Sequence, residues 1–157
     1  MDIIINRIRY MNKALGCQVI CLDHVSILIS GLTSGVSDER RLVDDIMTRL
    51  RVEVQALGIC LILVSHLRRP QGVKGHEGGA QVSLSQLRGS HAIAQLADTC
   101  LGLNVDPEDP ASGKRNLVVL KNRHTGEVGA AGVLKYDLDT GRLTETNDFN
   151  DLEDMPF

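Results

Sequence analysis

The chain has 157 residues, of which 43% are hydrophobic and 24% charged, and this suits one globular domain with a substantial core. No apolar run approaches the roughly 18 residues that a membrane span requires, which argues against an integral membrane protein. The N-terminal segment MDIIINRIRY lacks the apolar centre of a signal peptide, so we do not expect export.

The net charge of −3 is unevenly distributed along the chain. After Arg142 there are five acidic residues and no lysine or arginine. The segment 68–88 has the opposite character, because its single acid, Glu77, stands against Arg68, Arg69, Lys74 and Arg88. We therefore expect a weakly basic body, a basic loop and an acidic tail.

The four cysteines, Cys17, Cys21, Cys60 and Cys100, lie in apolar or strand-like segments. Such positions favour buried free thiols in a reducing compartment over disulfides. A zinc site built on Cys17, Cys21 and His24 is disfavoured, because no second pair of ligands follows at zinc-finger spacing.

The chain begins with a predicted helix and a predicted buried strand. Residues 2–15 form the helix, which ends at Gly16 and whose apolar face comprises Ile4, Ile8, Met11 and Leu15. The strand at 19–22 is wholly apolar and runs directly into Asp23. The segment SGLTSGVS that follows is a predicted loop.

A long helix and a second apolar strand come next. Ser37 is the predicted N-cap of the helix, which ends at Gly58 and whose apolar face comprises Leu42, Val43, Ile46, Met47, Leu50, Val54 and Leu57. The strand at 59–64 is uninterrupted by polar residues and runs into Ser65 and His66.

The remainder is predicted to contain more strand than helix. A long glycine-rich loop, 67–87, precedes a helix at 90–97 and a strand at 99–103. Strands at 117–121 and 131–136 enclose the turn NRHTGEVG, and 142–146 is a candidate for a last strand.

Alternation of helices with wholly apolar strands predicts the α/β class with a largely parallel sheet. Ligands of such sheets bind at the carboxyl ends of the strands. Asp23 and His66 each follow an apolar strand directly, so both are expected at that edge. Taken singly, Asp23 would more often be a plain turn residue and His66 a plain loop histidine; their shared edge favours a site.

An aspartate at the end of a buried strand often organises Mg²⁺ beside a phosphate-binding loop of the form G-x-x-x-x-G-K-[ST]. The 157 residues contain no such loop. The segment SGKR at 112–115 does not qualify, because no glycine stands five residues before Gly113 and Arg115 replaces the Ser or Thr.

Five segments in order carry a resemblance to a known family: VICLDHVSIL, DERRLVDDIMTRL, LILVSHLRRP, QLRGSHAIAQLADTCLGL and LKNRHTGEVGAAG. From about residue 10 to residue 145 the chain resembles the C-terminal part of the RecA-fold core of hexameric replicative DNA helicases. The resemblance is closest to the primase–helicases of short-tailed bacteriophages, whose mitochondrial relative is Twinkle. It implies a partial RecA-like ATPase domain at 1–146, with a mostly parallel sheet flanked by helices and a C-terminal β-hairpin, and a disordered acidic tail at 147–157.

The resemblance assigns roles at the predicted sheet edge. Asp23 matches the aspartate that organises Mg²⁺, a hard cation that prefers oxygen ligands, and His66 matches the residue that senses the γ-phosphate. The implied cofactors are Mg²⁺ and ATP or dTTP. The phosphate loop and the family's catalytic glutamate have no counterpart here. We therefore expect Asp23 to serve a phosphate loop on another polypeptide or in a part of the protein outside this sequence.

Two further cations match the family in the last third of the chain. Arg123 matches the arginine finger that reaches the ATP site of the neighbouring subunit, and Lys121 stands two residues before it. Residues at i and i+2 of a strand point the same way, so both cations could address one triphosphate. The planar fork of arginine suits phosphoryl oxygens on which charge develops. The alternative is a strand end with two solvated cations.

The basic loop matches regions that face single-stranded DNA in the central channel of the ring. The matching residues are Arg68, Arg69, Lys74, Arg88 and Gly89. Without the resemblance, a solvated surface loop would be favoured. Aromatic residues make up only 3% of the chain, which excludes a platform of stacked bases and leaves binding through phosphates.

The implied function is that of the C-terminal half of an ATP-dependent replicative helicase, which translocates on single-stranded DNA and unwinds duplex DNA with 5′–3′ polarity. Such a chain would assemble in a hexameric ring in the cytoplasm of a phage-infected bacterium, and alone it would be inactive.

The tail ending in Phe157 matches an acidic, aromatic-ended tail that contacts the replicative polymerase. A truncated, non-catalytic ring subunit that recruits the polymerase is the alternative. A strand-exchange recombinase is disfavoured, because SHLRRP and LKNRHTG fit the helicase branch better.

Overall fold

The computed structural model describes residues 1–30, 39–68, 75–76, 80–87, 91–106 and 111–146. The chain divides into two compact units, the first comprising Met1–Leu67 and Leu87–Leu96 and the second Arg68–Gln86 and Ala97–Phe157. No helix among the described residues is long and apolar enough to cross a membrane.

The first unit combines helices with a parallel strand pair. Its elements are α1 (Asp2–Lys13), β1 (Val19–Leu22), α2 (Val25–Ser30), α3 (Glu39–Leu57), β2 (Cys60–Leu63) and α4 (His91–Leu96). Strands β1 and β2 pair in parallel, in a register that joins Val19 to Cys60 and Leu22 to Leu63. The α/β class and the parallel pairing of the first two apolar strands are therefore confirmed.

The second unit is an antiparallel sheet. It contains a short 3₁₀ helix (Leu84–Gln86) and the strands β3 (Thr99–Val105), β4 (Lys114–Asn122), β5 (Gly129–Tyr136) and β6 (Leu143–Glu145). The strand order is β3-β4-β5-β6, with every neighbouring pair antiparallel. Parallel pairing among the described strands is thus confined to β1 and β2, which α2 and α3 connect, whereas turns join β4 to β5 and β5 to β6.

Helix α3 supplies the largest part of the core of the first unit. Its predicted apolar face is confirmed, with Val43, Ile46, Met47 and Leu50 buried. The predicted helix end at Gly58 is confirmed as well, because this glycine has a φ of 65°, which a residue with a side chain rarely adopts.

Helix α1 packs its apolar face on the same core. Ile5 and Ile8 are the residues that it buries. Leu15, which we expected on this face, is 61% exposed, so that prediction is wrong. The helix ends at Lys13, and the chain turns at Gly16, which has a φ of 70°. Leu15 therefore lies outside the helix and does not continue its apolar face.

Strands β1 and β2 bury one face and expose the other. Ile20 is 4% exposed, whereas Val19, Ile62 and Val64 are 57%, 49% and 42% exposed. The prediction that the strand at 19–22 is buried is therefore wrong for one of its faces. The cysteines are free, as predicted, but Cys21 and Cys60 lie on the exposed side. A wholly apolar strand has two apolar faces, but its sequence does not show whether other elements of the first unit cover both faces.

A buried ion pair joins α1 to α3. Arg9 donates through Nε and Nη2 to the two carboxylate oxygens of Glu53, at 2.7 Å each. Glu53 is buried on the inner face of α3, and its partner is about half exposed. The two-point contact satisfies a carboxylate that burial would otherwise destabilise.

We expect Arg9→Ala to lower the free energy of unfolding at pH 7 by more than the loss of an unpaired exposed arginine would, because it leaves a buried carboxylate without its partner. The hydrogen bonds from Arg9 hold the pKa of Glu53 below its ordinary value of 4.5. This contribution is therefore complete above that value and is lost as the pH falls through the lower folded-state pKa. Urea unfolding in dilute solution at neutral and acidic pH measures both effects. Arg7→Ala, which removes an exposed arginine of the same helix, is the control, and equal losses of stability in the two variants at pH 7 would contradict the prediction.

Candidate functional site

The two predicted site residues of the first unit lie where β1 and β2 end. Because the two strands are parallel and in register, the segments that follow them leave the sheet at the same edge. A backbone hydrogen bond of 3.0 Å from Val25 N–H to the Val64 carbonyl ties the two exits together. We call residues 23–25 and 64–66 the carboxyl edge. Asp23 and His66 both belong to it, in the position that the sequence predicts.

Asp23 presents an exposed carboxylate at this edge. Among the residues that the structure describes, no group of three His, Cys, Asp or Glu side chains is placed to hold a metal ion. One exposed carboxylate still fits Mg²⁺, which keeps several waters and is commonly bound by one or two carboxylates together with substrate phosphates. The peptide bond that joins Asp23 to His24 is cis.

His24 and His66 form a ring pair at the carboxyl edge. Their ring centroids are 3.9 Å apart and their planes differ by 31°. The Nδ1 atom of His24 is buried and has no hydrogen-bond partner in the described part of the chain. From the sequence we considered His24 only as a zinc ligand and missed its place beside His66. Its position directly after Asp23, at the edge expected to contain the site, was the available indication.

The two predicted cations of the second unit both contact the residues just before β3. Lys121 donates from Nζ to the Ala97 carbonyl at 2.8 Å. Arg123 donates from Nη1 to Asp98 Oδ1 at 3.0 Å, and its backbone N–H donates to the Asp98 carbonyl at 2.8 Å. We call these four residues the cationic corner. Asp98 is a member that the sequence did not indicate, because it lies 25 residues before the arginine that it contacts.

A tight turn fixes the direction in which Arg123 leaves β4. The side-chain amide of Asn122 donates to Thr125 Oγ1 at 2.8 Å, and its Oδ1 accepts from the backbone N–H groups of His124 and Thr125. Gly126, with a φ of 78°, completes the turn. Arg123 therefore stands in a turn that its neighbours brace, just beyond the end of the strand.

The described part of the basic loop is held together by one histidine. His76 places Nε2 3.1 Å from the Arg68 carbonyl and Nδ1 3.2 Å from the Ala80 carbonyl. The backbone N–H of Arg68 also donates to the Gln86 carbonyl at 2.7 Å, while its side chain is exposed. The other predicted DNA-binding residues, Arg69, Lys74, Arg88 and Gly89, lie outside the described residues.

The segment 80–86 is anchored on β3 within the second unit. The backbone N–H of Val82 donates to Oδ1 of Asn104 at 2.7 Å, and Asn104 is 7% exposed. Gly102 permits this approach, since a Cβ there would lie 3.3 Å from Val82 and 3.2 Å from Leu120. This part of the basic loop is thus tied to β3 at Val82.

The fold and these groups define an α/β protein whose carboxyl edge presents an exposed carboxylate and a histidine, and whose second unit holds two cations at a strand end. Carboxylate, imidazole and guanidinium are the groups by which proteins handle Mg²⁺-bound phosphates.

Comparison with known proteins gives the family. The sequence profile described as "DnaB-like helicase C terminal domain" matches residues 1–145, so the chain belongs to this family. Its fold is accordingly the RecA-like α/β fold.

A curated relative is the protein named "DNA helicase/primase" of Enterobacteria phage T3. It is 39% identical to this chain over 142 residues, which make up 90% of this chain and 25% of the phage protein. The chain therefore spans about a quarter of the length of this relative.

Proposed function

We propose that this chain is the C-terminal part of an ATP-dependent replicative DNA helicase, which translocates on single-stranded DNA as a hexameric ring and unwinds the duplex. Residues 1–146 would form the ATPase part; the acidic tail expected at 147–157 lies outside the described residues. The observation that favours this most is the carboxyl edge, where Asp23 and His66 leave two paired parallel strands side by side. Membership of the helicase family supports the nature of the reaction.

At the carboxyl edge, Asp23 would bind Mg²⁺ through its carboxylate. His66 would donate from its ring to the γ-phosphate of ATP or dTTP. Bound Mg²⁺ supplies neutralisation of phosphate charge, and the chain's own part is to hold both groups at one edge. His66 follows β2 and leads into the basic loop at Leu67 and Arg68, so it would link loss of the γ-phosphate to movement of that loop.

The cationic corner would act on the nucleotide of the neighbouring subunit. The guanidinium of Arg123 would contact phosphoryl oxygens as charge develops on them, with Lys121 as a second cation. Asp98 supports this assignment, because its carboxylate and carbonyl hold both the side chain and the backbone of Arg123. A positioned guanidinium loses less conformational entropy on meeting a phosphate than a freely rotating one.

A chimeric protein tests the proposal. The matching 142-residue part of the phage T3 helicase/primase is replaced by the corresponding part of this chain, and ATP hydrolysis and strand separation are measured. We expect DNA-stimulated hydrolysis and unwinding, both abolished by Asp23→Ala. A chimera that is folded, assembles into rings and binds DNA but hydrolyses no ATP would contradict catalysis and support a non-catalytic ring subunit.

In such a chimera we expect the triple variant Arg68→Ala, Arg69→Ala, Lys74→Ala to bind single-stranded DNA more weakly. The slope of log affinity against log salt should fall by about 0.7 for each DNA phosphate that the variant no longer neutralises. The measurement is DNA binding at several salt concentrations. Arg7→Ala, which removes one exposed arginine of α1, controls for the loss of a positive charge outside the loop. An unchanged slope in the triple variant would remove the loop from the DNA-binding surface.

We further propose that the acidic tail binds the replicative DNA polymerase through Phe157. The tail has few apolar residues, but it ends in an aromatic ring behind several acids, and such a segment can order when a partner binds it. In a phage T3 chimera that also carries the tail of this chain, deletion of Phe157 should weaken binding to the replicative DNA polymerase of that phage in a pull-down or titration, without altering ATP hydrolysis. Equal binding by the truncated protein would leave the tail with a solubilising role only.

A further inference from the structure

We propose that His24 is a positioning residue for His66, and that its ring fixes the orientation in which His66 meets the γ-phosphate. This inference rests on the proposed function of His66 as the γ-phosphate sensor. The observation behind it is the ring pair at the carboxyl edge, with centroids 3.9 Å apart and a tilt of 31° between the planes.

His66 needs an external support for its orientation. Its side chain is exposed, and it stands beyond the end of β2, where the strand no longer fixes it. An exposed ring on an irregular segment changes rotamer on the picosecond to nanosecond scale, and each rotamer aims the ring nitrogens differently. A hydrogen bond to a phosphate requires one of these directions only.

His24 is able to give that support because its backbone is fixed on both sides. Two residues before it, Leu22 pairs with Leu63 in the sheet. After it stands Val25, which is fully buried and whose backbone N–H donates to the Val64 carbonyl at 3.0 Å. A ring attached to so constrained a backbone presents a stable face to the more exposed ring of His66.

The support comes from the ring face of His24. Its buried Nδ1 has no hydrogen-bond partner among the described residues, so that nitrogen does not hold His66 in place. Packing of one planar ring on another restricts rotation without a specific hydrogen bond. A phenyl ring at position 24 should therefore retain most of the support, whereas a methyl group should remove it.

The test uses the same phage T3 chimera with four variants: His24→Ala, His24→Phe, His66→Ala and the double variant His24→Ala, His66→Ala. We expect His24→Ala to lower kcat for DNA-stimulated hydrolysis by about 10- to 100-fold, with KM for ATP changed by less than about two-fold, because misplacement affects the reacting geometry. His24→Phe should restore kcat to within about three-fold of the parent. Tyr10→Ala, which removes an exposed ring from α1, is the control for general removal of an aromatic group.

The double variant distinguishes positioning from general stability. If His24 acts through His66, the double variant should have the same kcat as His66→Ala alone. If the loss of His24 only damages the structure, its effect on kcat should add to that of His66→Ala. A normal kcat in His24→Ala, an additive decrease in the double variant, or a failure of phenylalanine to restore kcat would each overturn the proposal. A decrease in His66→Ala together with a normal His24→Ala would leave the proposed function intact. A parent chimera that is folded and binds DNA but hydrolyses no ATP would instead overturn the proposed function.

Discussion

Replacement of Arg123 by alanine in the complete ring is expected to lower DNA-stimulated ATP hydrolysis by about 10³- to 10⁵-fold, while ATP binding survives. The proposed role of this guanidinium is to stabilise charge in the transition state at the neighbouring subunit, and the ground-state nucleotide is held by other groups. Arg123→Lys should recover little, because an ammonium cannot reproduce the two-point contact of the planar fork. Steady-state hydrolysis and nucleotide titration measure the two effects separately.

Mixed rings show whether Arg123 acts in trans. Rings assembled from Arg123→Ala subunits and subunits with a defective phosphate loop contain some interfaces with an intact nucleotide site and an intact arginine. Some hydrolysis should therefore return on mixing, although neither parent ring is active. Arg142→Ala, which removes an exposed arginine of the same unit, should behave as the parent. If no mixing ratio restores hydrolysis, Arg123 is not the trans-acting residue.

A second prediction concerns ATP binding and hydrolysis by the isolated 157-residue chain. We expect them neither to hydrolyse ATP nor to bind it tightly, because they contain no phosphate loop. Affinity for a triphosphate in this fold comes largely from the backbone N–H groups and the lysine of such a loop. Asp23, His66 and Arg123 would act on a triphosphate that is already held. Isothermal titration and a phosphate-release assay measure both properties.

The same chain should also be prone to aggregation. One face of the strand pair exposes three large apolar side chains, Val19, Ile62 and Val64, and among the described strands β1 pairs only with β2. Apolar strand surface with an unpaired edge is a template for association between chains. In the chimera, ATP hydrolysis should be restored and the tendency to aggregate should be lost together. Mg²⁺-dependent hydrolysis by the purified 157-residue chain, abolished by Asp23→Ala, would contradict the prediction.

The sequence alone determined the α/β class, the main elements and the place of the candidate site. The spacing of Val43, Ile46, Met47 and Leu50 is enough to specify which face of α3 is buried, because a helix repeats every 3.6 residues. Wholly apolar strands that run into Asp23 and His66 were enough to place both at one edge, since parallel strands end together. These are local patterns, and local geometry converts them directly into positions.

Contacts between distant residues were decided only by the tertiary structure. The pairings of Arg9 with Glu53 and of Arg123 with Asp98 join residues 44 and 25 positions apart, and no periodicity connects them. The antiparallel order of β3 to β6 and the exposure of one face of β1 and β2 likewise depend on which layers pack together. The ring pair of His24 and His66 combines the two cases. Sequence indicates that both residues lie near one edge, but only the packing of the chain after β1 and β2 brings one imidazole ring onto the other.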